Sequence, residues 1–259
     1  MGNRTAAELR EALEHCYAAF EGLCGQLSDA EWRAQSLCPE WTVREVVDHV
    51  TSIEAVMAGW WPEDDTTPPP FERAGEFLAD RTAYPDKVRA VYDLRRRDLA
   101  ALSSEDLGRP SWMPVGPGTY GRFLAIRVFD FWVHERDITT PLGRATDDTG
   151  VAAEIALAEV ENSIGYIVGK KVGLPDGASI TFDLTGPLVR QLHVTVDGRA
   201  ARVERLDDPD VVVTTDSTTF IQLACGRIDP QDQIDSGAVS WSGDGELGER
   251  AARNLRFTM

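Results

Sequence analysis

Arg122–Thr139 reads RFLAIRVFDFWVHERDIT, and the face that carries Phe123, Ile126 and Ile138 also carries Asp130 and His134. Apolar residues at three- and four-residue steps mark an amphipathic helix. An acid and an imidazole spaced i, i+4 on that stripe lie one turn apart on the same side. A carboxylate on a buried face has to be satisfied, because leaving it unpaired costs several kcal/mol. Pattern and residue type are in conflict, which predicts a helix with chemistry on its inner face.

The helical period extends upstream. From Ala6 to Leu27 the residues Leu9, Leu13, Tyr17, Phe20 and Leu23 share one face. Ser28 with Glu31 and Thr42 with Glu45 are capping boxes, the first for a short helix. The second opens a long helix through Val46, Val47, Val50, Ile53 and Val56 to about Trp60. Trp61–Gly75 (WPEDDTTPPPFERAG) is a proline- and acid-rich loop, either a lid or a plain connector. A helix resumes near Pro85 and runs to about Leu102, and RPSWMPVGPGTYG then leads into the Arg122–Thr139 helix.

A further helical pattern covers Gly150–Lys170, and past Val172 the texture changes. Ile180–Leu184, Leu192–Val196, Ala201–Leu206 and Val211–Thr214 read as strands separated by TGP, DG and DDP turns. Helices Thr218–Cys225 and Glu246–Leu255 flank a last strand, Ala238–Ser242. Helices first, then a sheet with helices of its own, predict an α+β protein of two domains. The expected division is a helical bundle of the four-helix type at residues 1–147 and a smaller α+β module at 148–259, with Gly150–Lys170 assignable to either half.

Composition narrows the function. The 259 residues carry 26 Lys+Arg against 43 Asp+Glu, a formal charge of −17. So acidic a surface repels phosphate backbones and anionic lipid, so neither nucleic acid nor a membrane surface is an expected partner. No apolar run is long enough for a membrane span, and the N-terminal MGNRTAAELR has neither a signal-peptide core nor the myristoylation pattern. A cytoplasmic protein is expected. Cys16, Cys24, Cys38 and Cys225 show no paired spacing and read as buried reduced thiols.

Two of the four histidines, His49 and His134, stand on apolar stripes of bundle helices. Together with Asp130 they offer two nitrogens and one oxygen, the usual set of a catalytic zinc with its fourth position open. Facing helices of a bundle are a common source of such ligands. The alternative for the same residues is an Asp130–His134 hydrogen bond that braces the helix, with His49 a satisfied core histidine. His15 and His193 read as structural.

Two blocks carry a resemblance. CPEWTVREVVDHV (Cys38–Val50) and RVFDFWVHERDITTPLG (Arg127–Gly143) resemble signature segments of the mycothiol-dependent maleylpyruvate isomerases and their DinB-like relatives. PDGASITFDLTGP, DPDVVVTTD, LACGRIDP and SWSGDGELGERAARNL are similar to the sterol-carrier-like domain that follows the bundle in that family. The resemblance implies a divalent metal, usually zinc, held by His49, Asp130 and His134, with mycothiol as thiol cosubstrate. Many members have Glu where this chain has Asp130, which makes the ligand one carbon shorter here. Asp137 is placed to orient a ligand, and Glu135 beside the ligand histidine either does the same or lies on a solvated face.

Two arginines are catalytic candidates. Arg81 lies where the isomerases have a functional arginine, with a surface salt bridge as the alternative. Arg127, one turn before Asp130, is either a substrate clamp or a neutraliser of Asp130 or Asp137. The implied activity is metal-assisted attack of a low-molecular-weight thiol on an electrophilic small molecule, as in cis–trans isomerisation or S-transfer. A non-catalytic small-molecule or lipid binding protein is the alternative. A zinc hydrolase ranks third, since no dedicated general base of the HExxH kind is present. The sequence leaves the electrophile and the oligomeric state open.

Overall fold

A computed structural model describes residues 4–79 and 84–257. The chain divides into two compact units, Met1–Thr146 and Asp147–Met259.

The first unit is helical. Its elements are α1 (Ala6–Gln26), α2 (Asp29–Trp32), α3 (Val43–Met57), α4 (Ala74–Ala79), α5 (Tyr84–Ala100), α6 (Ser104–Leu107), a short hairpin β1 (Pro110–Ser111) and β2 (Gly118–Thr119), and α7 (Tyr120–Thr139). Capping boxes start α1, α2 and α3: at α3 the Thr42 N–H donates to Glu45 Oε2 at 2.7 Å, and Thr42 Oγ1 accepts the Glu45 N–H. The helix α3 stops at Met57, short of the expected Trp60. Gly59 there takes a left-handed φ of 73°, and its N–H is captured by Asp98 at 2.8 Å.

Small elements of this unit go beyond the sequence reading, among them α4, α6 and the β1–β2 hairpin. Each is too short to show a period. The helix α4 is pinned through Phe77, its one buried side chain, at the end of the proline-rich stretch.

Helices α1, α3, α5 and α7 form the bundle, with α1 and α3 each packed on both α5 and α7. At its centre Tyr17 stacks on Tyr92 at 4.6 Å, and Phe131 meets both rings edge-on at 5.5 and 5.9 Å. Thr51 and Tyr92 share a hydrogen bond of 2.9 Å inside this aromatic core.

In the second unit, α8 (Gly150–Tyr166) runs into a π-helical turn, Ile167–Val172. There follow β3 (Ser179–Thr185), β4 (Arg190–Asp197), β5 (Arg199–Val203), β6 (Val211–Asp216), α9 (Ser217–Ala224), α10 (Pro230–Asp235), β7 (Val239–Gly243) and α11 (Gly245–Asn254). The five strands are ordered β5-β4-β3-β6-β7, and β3–β6 is the parallel pair in an otherwise antiparallel sheet.

Alternation along the strands buries Ile180, Phe182, Leu184, Leu192, Val194, Val211 and Val213, while α8, α9 and α11 pack on the sheet. The α8 helix packs on β4 and β5, so it belongs with the sheet. It approaches β5 so closely that a Cβ on Gly165 would stand 2.9 Å from the Ala200 carbonyl oxygen. The helix α10, not foreseen, buries none of its residues and so leaves no apolar stripe.

All four cysteines are reduced and buried. Burial raises the thiol pKa of Cys16, and pushes that of Cys24 up to about 12. His15 is half-buried on α1, and His193 shares a 2.9 Å hydrogen bond with Thr181. Among the described residues, no helix is long and apolar enough to cross a membrane.

Candidate metal centre

The helices α3 and α7 pack side by side and bring His49 to Asp130 and His134. On α3, Val43, Val46, Val47 and Val50 are buried, whereas His49 and Ile53 lie on an adjoining, half-buried edge. His49 Nε2 is 3.5 Å from Asp130 Oδ2, and His134 Nε2 is 3.4 Å from Asp130 Oδ1. One ligand atom from each of the three residues fits within 4.8 Å of the others. The imidazoles meet at 72° with centroids 5.0 Å apart. Trp41, at the foot of α3, flanks both rings at 4.9 and 5.9 Å.

The exposure is graded. The side chains of His49 and Asp130 are 32 % and 26 % accessible, and that of His134 is 7 %. Two imidazole nitrogens aimed at one carboxylate, with one side open to solvent, are the donor set and approach that a catalytic zinc requires. The residues therefore fit the implied metal.

Behind Asp130 lies a buried ion network. Arg127 pairs through Nη1 with Asp130, donates through Nε to Glu54 Oε1 at 2.9 Å, and donates through Nη2 to the Val50 carbonyl at 3.2 Å. Glu54 accepts in turn from Arg95 Nε at 2.8 Å and from the Tyr17 hydroxyl at 2.7 Å. The network thus draws on α1, α3, α5 and α7 together. Arg127 is buried, with all three guanidinium nitrogens engaged inside the bundle. The contact with Asp130 is the one that the neutralising alternative requires. Arg81 lies outside the described residues.

Burial works against charge on Asp130, but Arg127 and then His134 hold its carboxyl well below the usual range. Burial likewise opposes an imidazolium at His134, yet Asp130, with Asp137 behind it, raises its pKa well above normal. Metal-free, the site pairs a carboxylate with an imidazolium, and a cation that binds there must release that proton.

On its far side, His134 Nδ1 lies 2.8 Å from Asp137 Oδ2, as the orienting role predicted for Asp137 requires. Glu135 is on no solvated face: it is buried beside Arg136, whose guanidinium lies 3.6 Å over the Trp132 ring. Glu54, Arg95 and Trp41 were not anticipated. A signal for the first two was present: Glu54 interrupts the stripe Val43, Val47, Val50, Met57, and Arg95 the stripe Val88, Val91, Tyr92, Leu99.

Residues 13–139 match the mycothiol maleylpyruvate isomerase N-terminal domain, and residues 154–250 match the MDMPI C-terminal domain. A crystal structure of the mycothiol-dependent maleylpyruvate isomerase is similar over 98 % of each chain, with 18 % identity and a TM-score of 0.59. A histidine-to-alanine mutant of such an isomerase gives 19 % identity and a TM-score of 0.58 over the same share of both chains. Sterol carrier protein 2 like 2 from Aedes aegypti covers 39 % of this chain and 93 % of its own, at 16 % identity and a TM-score of 0.30, too low to carry any statement about ligands. Comparison with curated protein sequences gave no significant match. The two domain matches, in their order, take in both blocks that hold the three candidate ligands and most of the sheet unit, and the chain belongs to the mycothiol-dependent maleylpyruvate isomerase family.

Proposed function

We propose that this chain is a zinc-dependent isomerase that uses mycothiol as its thiol cosubstrate and acts on a small electrophile of the maleylpyruvate kind. In this reading residues 1–147 are the metal-binding domain, residues 148–259 complete the enzyme, and His49, Asp130 and His134 are the ligands. The observation that carries it is the convergence of these three donors from α3 and α7 on one partly open point, in a chain whose family is thiol-dependent.

Zinc held there would lower the pKa of an incoming thiol, so that a thiolate is present at neutral pH to attack an electrophilic carbon. The chain's residues divide the remaining work. His49 and Asp130, both partly accessible, form the side from which the thiol enters. His134, nearly enclosed, anchors the opposite side. Arg127 fixes Asp130 from behind and offsets its charge without facing solvent. Trp41 lies against both imidazoles and gives the mouth an apolar, flat wall. For a cis–trans change, the thiolate would add to one alkene carbon while the π pair moves onto the conjugated carbonyl oxygen; the resulting single bond turns, and the pair returns as the thiolate leaves. No atom or electron is gained overall, so the protein need only hold the two partners and keep the thiol returnable. S-transfer would follow if the proton given up by the thiol were instead added to the neighbouring carbon and the thioether released.

The test is elemental mass spectrometry on untagged protein, beside His134→Ala, followed by an assay of maleylpyruvate isomerisation with and without mycothiol. The expected result is close to one zinc per chain, lost in the variant, and turnover that needs both metal and thiol. Absence of zinc after reconstitution, or turnover indifferent to the thiol, would refute the reading.

A further inference from the structure

The side of His134 turned away from Asp130 is as ordered as the side turned towards it. Asp137, wholly buried one turn further along α7, presents Oδ2 to His134 Nδ1 at 2.8 Å. The Cys38 thiol donates to the same oxygen at 3.1 Å, and its sulfur stands 3.9 Å from Nδ1.

Cys38 is itself held fast. Its N–H donates to Ser36 Oγ at 3.1 Å, and its carbonyl accepts from Gln35 Nε2 at 2.7 Å. Next to it the Leu37 N–H donates to the Asp137 carbonyl at 3.0 Å, which clips this loop onto the end of α7. The same loop carries Trp41 and runs on into α3, which bears His49.

We infer that Asp137 and Cys38 are positioning residues for the metal centre: Asp137 fixes the proton of His134 on Nδ1, which leaves Nε2 free to ligate, and Cys38 fixes Asp137. The inference rests on the zinc reading given above. Its chemical content is that a neutral imidazole has one proton for two nitrogens. A carboxylate that accepts a hydrogen bond from the N–H at one nitrogen commits the lone pair at the other, and raises its basicity.

Cys38, His134 and Asp137 form a three-donor group in their own right, and a cation between them would be a competing arrangement. Two observations disfavour it. All three side chains are buried, which leaves no side open for a thiol. Their donors are also already closed on one another as hydrogen bonds, with a thiol proton in the place a cation would need.

The experiment measures zinc affinity by chelator competition at one pH for the wild type, Asp137→Ala, Asp137→Asn, Cys38→Ala, Cys38→Ser and His49→Ala. Far-UV circular dichroism and thermal melts of the metal-free proteins accompany it. Asp137→Ala should weaken zinc binding about 10- to 100-fold. Asp137→Asn should recover most of that loss, because an amide oxygen still accepts the Nδ1 proton. Cys38→Ala should cost less than Asp137→Ala, with Cys38→Ser closer to the wild type. Nitrogen-15 spectra of zinc-loaded protein should show His134 protonated at Nδ1 in the wild type. Wild-type zinc affinity kept by Asp137→Ala would overturn the inference, as would zinc lost in Cys38→Ala and retained in His49→Ala, since the ion would then sit in the buried group. No zinc binding by the wild type would overturn the metal reading itself, and this inference with it.

Discussion

Glu54→Gln is the substitution that most directly questions the buried network. The carboxylate is 1 % accessible and lies between two guanidiniums, Arg95 at 0 % and Arg127 at 5 %. Glutamine keeps the shape and one acceptor oxygen but leaves two buried cations without the anion between them. Removing one partner of a buried ion pair costs about 3–5 kcal/mol, because the remaining charge is stranded. Asp98 and Asp130 still pair with one arginine each, so the expected loss is near the lower end, about 3 kcal/mol. For a protein of this size that is a melting temperature lower by roughly 6–12 °C.

Thermal and urea unfolding of the metal-free proteins, followed by circular dichroism at pH 7, would measure it. The pH dependence gives a second check with a fixed sign. Burial works against the Glu54 carboxylate, but Arg95 and Arg127 hold its pKa below the usual value. A lowered folded-state pKa means stability that is fully present above the unfolded value, about 4.3, and lost as pH falls through the folded value. The gap between wild type and Glu54→Gln should therefore stay level from neutral pH to about pH 5 and close on further acidification. A loss under about 1 kcal/mol at pH 7, or a gap that widens in acid, would show that the network is not held by this charge.

Further outcomes follow from the same geometry. His49→Ala should drop zinc occupancy to a small fraction of the wild-type value in elemental analysis, since a two-donor remnant binds a dication poorly; retention of one zinc per chain would remove His49 from the ligand set. Asp130→Glu, which lengthens the ligand by one carbon, should keep zinc within about tenfold of the wild-type affinity, whereas Asp130→Ala should lose it; equal affinities in both would show that the carboxylate does not ligate. Gly165→Ala places a Cβ 2.9 Å from the Ala200 carbonyl oxygen, and displacing α8 from β5 should outweigh the helix-propensity gain by about 1 kcal/mol in urea unfolding. A stabilised variant would mean that α8 and β5 part without cost.

How much of this could be read in advance depended on element length and on how consistently one rule was applied. The long amphipathic helices and the alternating strands repeat their period often enough to be recognised. The helix α4 and the β1–β2 hairpin do not, and only their packing defines them. The rule that an ionisable residue on an apolar stripe needs a partner picked out Asp130 and His134. Applied to the neighbouring stripes it would also have picked out Glu54 and Arg95, which interrupt theirs in the same way. What it could not supply is pairing: that Arg127 turns inward to Glu54 depends on how α3 and α7 pack. Cys38 gave no such signal, since a thiol on an apolar stretch is ordinary, and its contact with Asp137 joins residues 99 positions apart.

The same criterion thus selects two kinds of residue, and exposure separates them. Glu54 and Arg95 are sealed in the bundle and answer one another, which suits a network that holds helices in register. His49 and Asp130 keep about a third or less of their surface in water, which suits exchange with something from outside. Charge points the same way. Along the connected chain Asp137–His134–Asp130–Arg127–Glu54–Arg95–Asp98, four carboxylates face two guanidiniums, so with neutral histidine the cluster carries two uncompensated negative charges. In the metal-free protein Asp130 raises the pKa of His134 against its burial, and a proton there offsets part of that charge. A dication held by His49, Asp130 and His134 would offset the whole of it. The buried arginines therefore bear on chemistry as well as on stability, because they set the charge that the open side of the centre is left to satisfy.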